Sequence, residues 1–361
     1  MRSAFQRSLE IINNCVRLAT DMVGLKTKYN ELKKRFQKRA IILMYHRICE
    51  PGIDPWELAV SPENFEQQLQ VLQKYYLVCS IPEIIDNLEK GIVLKNCFAL
   101  TFDDGYKDNF ENARPLLEKH KIPATFFIPT GNLLNKKLFW WDRLQDAILN
   151  TPNLPETLEI NFPNQKFGFS LEGESILNEA IRKMHLEWVV PADPPTRRSQ
   201  LFHELWEMLQ PLPPEQIESQ LNEIEAWAGR RNIFQNSDSE IMNADQVAQL
   251  AGKKLFTIGL HTQNHIALSY HDEEIQKQEI SNNQIDLSLM INQVSQVIAY
   301  PYGECNNVTI QVAKELGIRV GFSVECNPVF ANSNRFNLGR FHVKNWNAKQ
   351  FEEKLAKWLA Q

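Results

Sequence analysis

Short apolar runs alternate with amphipathic stretches along most of this chain, and nearly every run ends on a polar or ionisable residue. Ala40–Tyr45 leads into His46 and Arg47, and Cys97–Leu100 into Thr101-Phe102-Asp103-Asp104-Gly105. Phe256–Leu260 leads into His261, and Val297–Ala299 into Tyr300-Pro301-Tyr302. Runs this short and uniformly apolar suit strands buried on both faces, as in parallel sheets, and the helical stretches between them supply the crossovers. Parallel strands have their carboxyl ends on one side, so closing the sheet gathers the polar residues on one face. The order of elements therefore predicts an α/β chain folded as a distorted (β/α) barrel, with its site at the carboxyl ends of the strands.

The helical stretches carry ordinary start signals. Ser61-Pro62-Glu63 offers a serine N-cap, a proline in the first turn and an acid at the positive end of the dipole. The rhythm breaks after Gly131. Residues 135–240 are rich in Glu, Trp and Leu, with proline clusters at 191–195 and 211–214 and one alternating stretch, Leu158 to Phe169, that reads as a hairpin. This divides the chain into an N-terminal basic amphipathic helix (1–39), a barrel (40–134 and 241–361) and a mainly helical insertion (135–240). The insertion is large enough for a lid or subdomain.

With 39 Lys and Arg against 44 Asp and Glu, the net charge is −5, which gives no reason to expect nucleic acid as a partner. The first forty residues depart from that average, with ten basic residues against three acids. Their basic end, Lys33 to Arg39, reads either as peripheral membrane contact or as a solvated face. The six cysteines have no paired spacing, and Cys79 and Cys97 lie in strand-like runs, as small buried hydrophobes do. No apolar run approaches the roughly eighteen residues of a spanning helix. No continuous apolar signal segment with a cleavage site is evident, so a cytoplasmic location is expected, membrane-associated if the basic helix binds lipid. No partner protein is inferable.

Two clusters carry chemistry. Adjacent aspartates at a strand tip point in different directions, so one can bind a metal while the other handles protons. Gly105 permits the sharp turn that follows. His261 and His265 are four residues apart, which on one helical turn lets both imidazoles converge on a single ion. With one aspartate they make a two-histidine, one-carboxylate set with open positions. Such a set suits Zn²⁺ holding a water whose pKa falls to about 7, with the other aspartate taking its proton. His120, His185, His203 and His271 stand without partners in sequence and read as surface or core residues.

At this point the chain resembles the polysaccharide deacetylases of the fourth carbohydrate esterase family. Thr101-Phe102-Asp103-Asp104-Gly105 is similar to the first motif of that family, His261-Thr262-Gln263-Asn264-His265 to the second, and Pro301-Tyr302-Gly303 to the end of the third. Leu43-Met44-Tyr45-His46-Arg47 is similar to the opening of many bacterial members. The resemblance covers about residues 40–134 and 241–345. It implies a metal-dependent hydrolase that removes N-acetyl, less readily O-acetyl, groups from a polysaccharide, oligosaccharide or glycolipid. Asp103 would be the base, and Asp104, His261 and His265 the ligands of a divalent metal, Zn²⁺ by preference. Pro301, Tyr302, His46 and Arg340 would contact substrate, with the Tyr302 main chain holding the oxyanion. The family's general acid is a histidine; His342 is the nearest match and His46 competes with it. The arginine that opens the third motif is replaced by Ala299, and the fourth motif has no clear counterpart in Gly321–Cys326. Arg340, one strand period before His342, is expected to approach Asp103 in its place. Two other readings stay open: a non-catalytic carbohydrate-binding protein on the same scaffold, and an amidase acting on a small non-sugar amide.

Overall fold

The structure is a computed structural model that describes residues 38–92, 97–163, 165–230 and 239–360. The expected N-terminal helix (1–39) therefore falls, but for its last two residues, outside the described residues. Elements then follow as β1 (Ala40–Tyr45), α1 (Pro62–Tyr75), β2 (Leu77–Val78), α2 (Ile81–Glu89), β3 (Cys97–Phe102), α3 (Arg114–His120) and β4 (Ala124–Ile128). The stretch that interrupts the rhythm gives α4 (Thr130–Asn135), α5 (Trp140–Gln145), the hairpin β5 (Thr157–Phe162) and β6 (Gln165–Ser170), α6 (Glu179–Glu187), α7 (Arg197–Leu209) and α8 (Pro214–Trp227). Alternation resumes with α9 (Ala244–Ala251), β7 (Phe256–Leu260), α10 (Glu273–Ile291), β8 (Val297–Ala299), α11 (Asn307–Glu315), β9 (Val320–Phe322), β10 (Phe341–His342) and α12 (Ala348–Ala360).

The strands form one parallel sheet in the order β10-β1-β3-β4-β7-β8-β9, with β2 beside the first residues of β3. β1 and β3 pair along their whole length, from Ala40 opposite Cys97 to Tyr45 opposite Phe102. The sheet curls until its edges meet through the last segment. Leu338 exchanges backbone hydrogen bonds of 2.9 Å with Gly321 and Ser323, while Phe341 and His342 pair with Leu43 and Met44 of β1. Between these contacts the chain bends away, since the Arg340 N–H goes to the Glu325 carbonyl. β9 and β10 are short for that reason. The result is a distorted (β/α) barrel.

Side-chain alternation sorts each strand into two cores. Ile41, Leu43, Phe98, Leu100, Phe126 and Ile298 face outward into the surrounding helices. Ala40, Ile42, Ala99, Phe127, Ala299 and Phe322 face inward, where the many small side chains suit a narrow interior. Thr101 and Asp103 continue the inward set beyond Ala99. The helix caps form as the sequence dictates, for example Ser61 Oγ accepting from Asn64 N at 3.2 Å at the start of α1. A widened π turn, Asn109–Ala113, leads into α3 and brings Asn109 Nδ2 to the His46 carbonyl at 2.7 Å.

The stretch between residues 135 and 240 builds a core of its own. Leu144, Ile148, Leu158, Phe202, Leu205 and Leu221 lie in one cluster separate from the barrel. It is anchored beside the carboxyl ends of the strands: Gly105 O accepts from Met242 N at 2.9 Å, and Tyr106 bridges to Ile241.

Candidate metal and deacetylation site

β3 runs buried to its tip and then turns sharply. Asp103 N donates to the Tyr45 carbonyl at 3.0 Å, which holds the first aspartate in register with β1. Asp104 and Gly105 both adopt φ of 70°. At Gly105 a Cβ would lie 3.1 Å from Ile128 Cδ1, so glycine meets both the backbone and the packing requirement. The left-handed turn sends Asp104 away from Asp103 and toward the end of β7.

His261 follows β7 directly, and His265 does not share a helical turn with it. The segment between them is a loop in which Thr262 (φ 60°) and His265 (φ 53°) are left-handed, replacing the helix that the spacing suggests. Buried polar groups hold this loop. Glu279 of α10 accepts from Asn264 N at 2.8 Å and from Asn264 Nδ2 at 2.7 Å, and Gly131 N donates to the Gln263 carbonyl at 2.7 Å. A Cβ on Gly131 would sit 2.4 Å from Asn264 Oδ1, so that approach needs glycine. Asn283, also of α10, accepts from His261 N at 2.9 Å and donates to the Ile128 carbonyl at 3.0 Å. The long helix thereby ties the ends of β4 and β7 together.

Both imidazoles then reach Asp104. His265 Nε2 is 3.1 Å and His261 Nε2 3.3 Å from Asp104 Oδ1, and all three residues are buried. The other nitrogen of His261, Nδ1, is 2.7 Å from the Ala299 carbonyl. A carbonyl only accepts, so Nδ1 carries a proton and Nε2 is the nitrogen turned toward Asp104. Nε2 faces a carboxylate oxygen at 3.3 Å, a contact that needs a proton or a metal cation between the two atoms. The three donor atoms lie within 4.8 Å of one another. Separations of 3.1 and 3.3 Å match the roughly 3.3 Å between ligand atoms that each stand about 2.0–2.1 Å from a tetrahedral Zn²⁺. The donor set thus fits a divalent cation. Burial would raise the Asp104 carboxyl, yet contact with the two imidazoles holds it well below the usual carboxylate range.

Asp103 keeps apart from this triad. Arg340 Nη1 donates to its Oδ1 and Nη2 to its Oδ2, each at 2.7 Å. The guanidinium is itself fixed by the Ser323 carbonyl (3.1 Å), by Thr101 Oγ1 (3.2 Å) and by the Phe127 ring beneath it. Arg340 thus arrives where Ala299 offers no charge. It is fully buried. Burial raises the Asp103 carboxyl, and the Arg340 charge, followed by His261 and the two hydrogen bonds, brings it below its ordinary value.

These groups open into a cavity of about 340 Å³ lined by His46, Asp103, Asp104, His261, His265 and Tyr302, among others. Its walls are aromatic. The Trp141 ring lies 4.7 Å from His265 and the Tyr302 ring 4.8 Å, while Trp206 stands 5.9 Å from Tyr302 and 4.5 Å from Trp56. Trp141 and Trp206 come from the 135–240 stretch, which therefore contributes to the mouth of the site.

Comparison with known proteins follows the same lines. The polysaccharide deacetylase family profile matches residues 90–153 and 209–321. The chain belongs to the polysaccharide deacetylase family. It is accordingly a hydrolase acting on carbon–nitrogen bonds other than peptide bonds. The gap in the match, residues 154–208, falls inside the 135–240 stretch. A poly-beta-1,6-N-acetyl-D-glucosamine N-deacetylase of Staphylococcus aureus is 22% identical over 353 residues, covering 94% of this chain and 88% of that protein. Its Staphylococcus epidermidis counterpart is 30% identical over 145 residues, 33% of this chain and 50% of that protein. Among solved structures, Streptococcus pyogenes deacetylase PplD in complex with acetate superposes with a TM-score of 0.55 at 18% identity, covering 88% of this chain and 99% of that one. IcaB from Ammonifex degensii gives 0.52 at 17% identity, covering 90% and 98%. At these identities the structures speak for the shared fold.

In this deacetylase the two histidines considered for proton donation are neighbours, with ring centroids 5.5 Å apart. His46 lines the cavity; His342 is not among the lining residues and stands behind it. Burial, reinforced by the charges of His46 and Lys344, pushes His342 down to about 3, which leaves it neutral at working pH. Pro301 is likewise buried, and shapes the turn that presents Tyr302 (φ 58°). Among the described residues no helix is long and apolar enough to cross a membrane. Sequence reasoning missed Trp141, Trp206, Asn283 and Glu279. The first pair had a signal in the density of tryptophans after Gly131; the second lay in a long, largely polar helix with nothing to distinguish it.

Proposed function

We propose that this chain is a metal-dependent N-deacetylase of a polymer of N-acetylated hexosamine. The family assignment and the S. aureus relative named for poly-beta-1,6-N-acetyl-D-glucosamine support the substrate class. The observation that carries the metal dependence is the convergence of Asp104, His261 and His265 donor atoms within 4.8 Å, with Nδ1 of His261 engaged by the Ala299 carbonyl so that Nε2 is the atom presented. Asp104, His261 and His265 would hold the cation, Zn²⁺ by ligand type. When bound, it would act as a Lewis acid toward the acetamide carbonyl and the attacking water.

The chain's own residues would do the rest. Asp103, kept ionised and aimed by Arg340, takes the proton of the attacking water; each of its oxygens retains a second lone-pair direction beyond the arginine bond. The main-chain N–H of Tyr302 assists the developing oxyanion. His46, lining the cavity, returns a proton to the departing sugar amine. Trp141, Trp206 and Tyr302 exclude water and give the sugar an apolar face to lie on.

The test is acetate release from β-1,6-linked N-acetylglucosamine oligomers and from chito-oligosaccharides, before and after chelation and again after Zn²⁺ is restored. Loss with the chelator and recovery with metal is the expected result. Undiminished activity in a chain shown to be metal-free would refute the metal assignment, and release only from small non-sugar amides would refute the substrate class.

A further inference from the structure

The two histidines of the metal triad are seated in different ways. His261 places Nδ1 2.7 Å from the Ala299 carbonyl, the kind of second bond that orients most metal-ligating imidazoles. His265 has no such bond: its Nδ1 is buried without a hydrogen-bond partner among the described residues. Its backbone gives little help, since it stands in a loop at φ 53° rather than on a strand or helix.

What surrounds the ring is aromatic. Trp141 lies 4.7 Å away at 57°, Tyr302 4.8 Å at 81° and Phe139 5.8 Å at 63°. Steeply inclined rings set positive edges against negative faces, so packing fixes the plane of an imidazole that no hydrogen bond fixes. Tyr302 belongs to the barrel, whereas Phe139 and Trp141 belong to the 135–240 stretch.

Trp141 is in turn held by more than packing. Its indole stacks on Phe139 at 4.3 Å and 9°. Indole Nε1 only donates, and it donates to the Tyr106 hydroxyl at 2.9 Å; that hydroxyl spends its own proton on Asp142 Oδ2 at 3.0 Å. The Arg47 guanidinium covers the Tyr106 ring at 4.5 Å, and its Nε donates to Asp108 Oδ2 at 3.1 Å. Tyr106, Phe139 and Trp141 are all buried, so this tie between barrel and insertion lies out of water, beside His265.

We infer that Trp141 is a positioning residue for the metal ligand His265, and that Tyr106 and Asp142 lock it in place. The inference rests on the metal reading above and extends it: the 135–240 stretch is part of the metal centre as well as of the mouth, and the chain holds its cation tightly only when that stretch is docked on the barrel.

Zn²⁺ affinity, measured by competition with a chromogenic chelator, tests this without any substrate. Trp141→Leu should weaken Zn²⁺ binding about tenfold or more, within the roughly 10–100-fold that loss of an orienting partner costs. Tyr106→Phe, which removes one oxygen and leaves the ring, should weaken it several-fold. Trp206 comes from the same stretch, but its ring meets Tyr302, Trp140 and Trp56 rather than His265. Trp206→Ala should therefore leave the dissociation constant unchanged. Wild-type affinity in both Trp141→Leu and Tyr106→Phe overturns the proposal. So does an equal loss in Trp206→Ala, which would mark a general loosening of the insertion. Circular dichroism checks folding, and if Trp141→Leu does not fold, Tyr106→Phe decides alone.

A second readout needs no metal. In histidine-labelled, metal-free chain, the carbon-bound ring protons of His265 are identified by their loss in His265→Ala. Neighbouring ring currents should displace them from ordinary imidazole positions, and the displacement should shrink in Trp141→Leu and in Tyr106→Phe. A wild type that binds no Zn²⁺ refutes the metal centre. In that event a displacement that these variants reduce still supports the aromatic seat of His265, and one that they leave unchanged refutes it.

Discussion

Arg340 meets Asp103 with two parallel hydrogen bonds of 2.7 Å, and the two side chains are 0% and 3% exposed. A bidentate fork fixes the plane of a carboxylate as well as its charge, which a metal ion nearby cannot do. The charge that Ala299 cannot supply is thus delivered from the other edge of the sheet, by the segment that closes the barrel.

Replacing Arg340 by methionine should therefore lower kcat by about 10²-fold, the usual cost of misplacing a catalytic group. Metal content should stay at the wild-type level. Losing one partner of a buried pair should also destabilise the fold by about 3–5 kcal/mol. The sign of the pH effect follows from Asp103, whose carboxyl is lowered in the fold. Its stabilisation is present above the unfolded value, near about 3.9, and is lost as pH falls through the folded value. Without Arg340, burial acts unopposed and the carboxyl rises, so the acid limb of the rate profile moves up. A variant with wild-type rate and profile would show that Asp103 is oriented by something else.

His265→Ala should remove stoichiometric metal after dialysis, because two remaining ligands rarely hold Zn²⁺. A readout independent of activity is thermal unfolding. Added Zn²⁺ at about a hundred times its dissociation constant should stabilise the wild type by about 2.7 kcal/mol and leave the variant unmoved. Retention of one metal per chain by the variant would exclude His265 as a ligand.

Asp142 offers a prediction of opposite sign. Burial, eased by Arg47 and the Tyr106 hydroxyl, raises its carboxyl to about 7. A raised acid stabilises the fold below its unfolded pKa, near about 3.9, and loses that stabilisation as pH rises toward the folded value. Asp142→Asn keeps an acceptor for Tyr106 and never ionises. Its stability relative to wild type should climb between about pH 4 and about pH 7, by about 1 kcal/mol for every pH unit crossed, and level off above that. Parallel denaturation curves for the two proteins across that range would contradict the assignment.

Trp206 tests the insertion. Trp206→Ala should raise KM for oligosaccharides several-fold, in keeping with about 1 kcal/mol for one aromatic contact, with kcat and metal content little changed. A variant indistinguishable in KM would mean that the 135–240 stretch does not take part in substrate binding.

Much of this site could be read from the chain because its chemistry sits where parallel strands end. Asp103, Asp104 and His261 follow apolar runs directly, and a period of two put Arg340 on the interior face. What sequence could not give depends on backbone conformation and on packing across the barrel. The spacing of His261 and His265 suggested a helical turn, yet left-handed Thr262 and His265 bring the rings together in a loop. Ala299 carried no chemical signal, although its carbonyl sets the tautomer of His261. Trp141 and Trp206 reach the site only through the packing of a stretch whose fold the βα rhythm does not determine.

The choice between His46 and His342 is the sharpest division between sequence and geometry. The two rings touch edge to face at 5.5 Å, so a variant of either perturbs the other, and loss of rate alone does not assign the role. Proton donation requires an imidazolium that reaches the leaving amine. His342 is held neutral by burial and does not line the cavity. His46 does. His46→Gln should lower kcat by about 10²–10⁴-fold. His342→Gln should give a smaller rate loss, through the altered seat of His46. A substrate bearing a good leaving group in place of the sugar amine sharpens the result, since it needs no protonation: it should rescue His46→Gln and not Asp103→Asn. If it rescued His342→Gln instead, the proton would come from the buried ring, and His46 would serve only to bind.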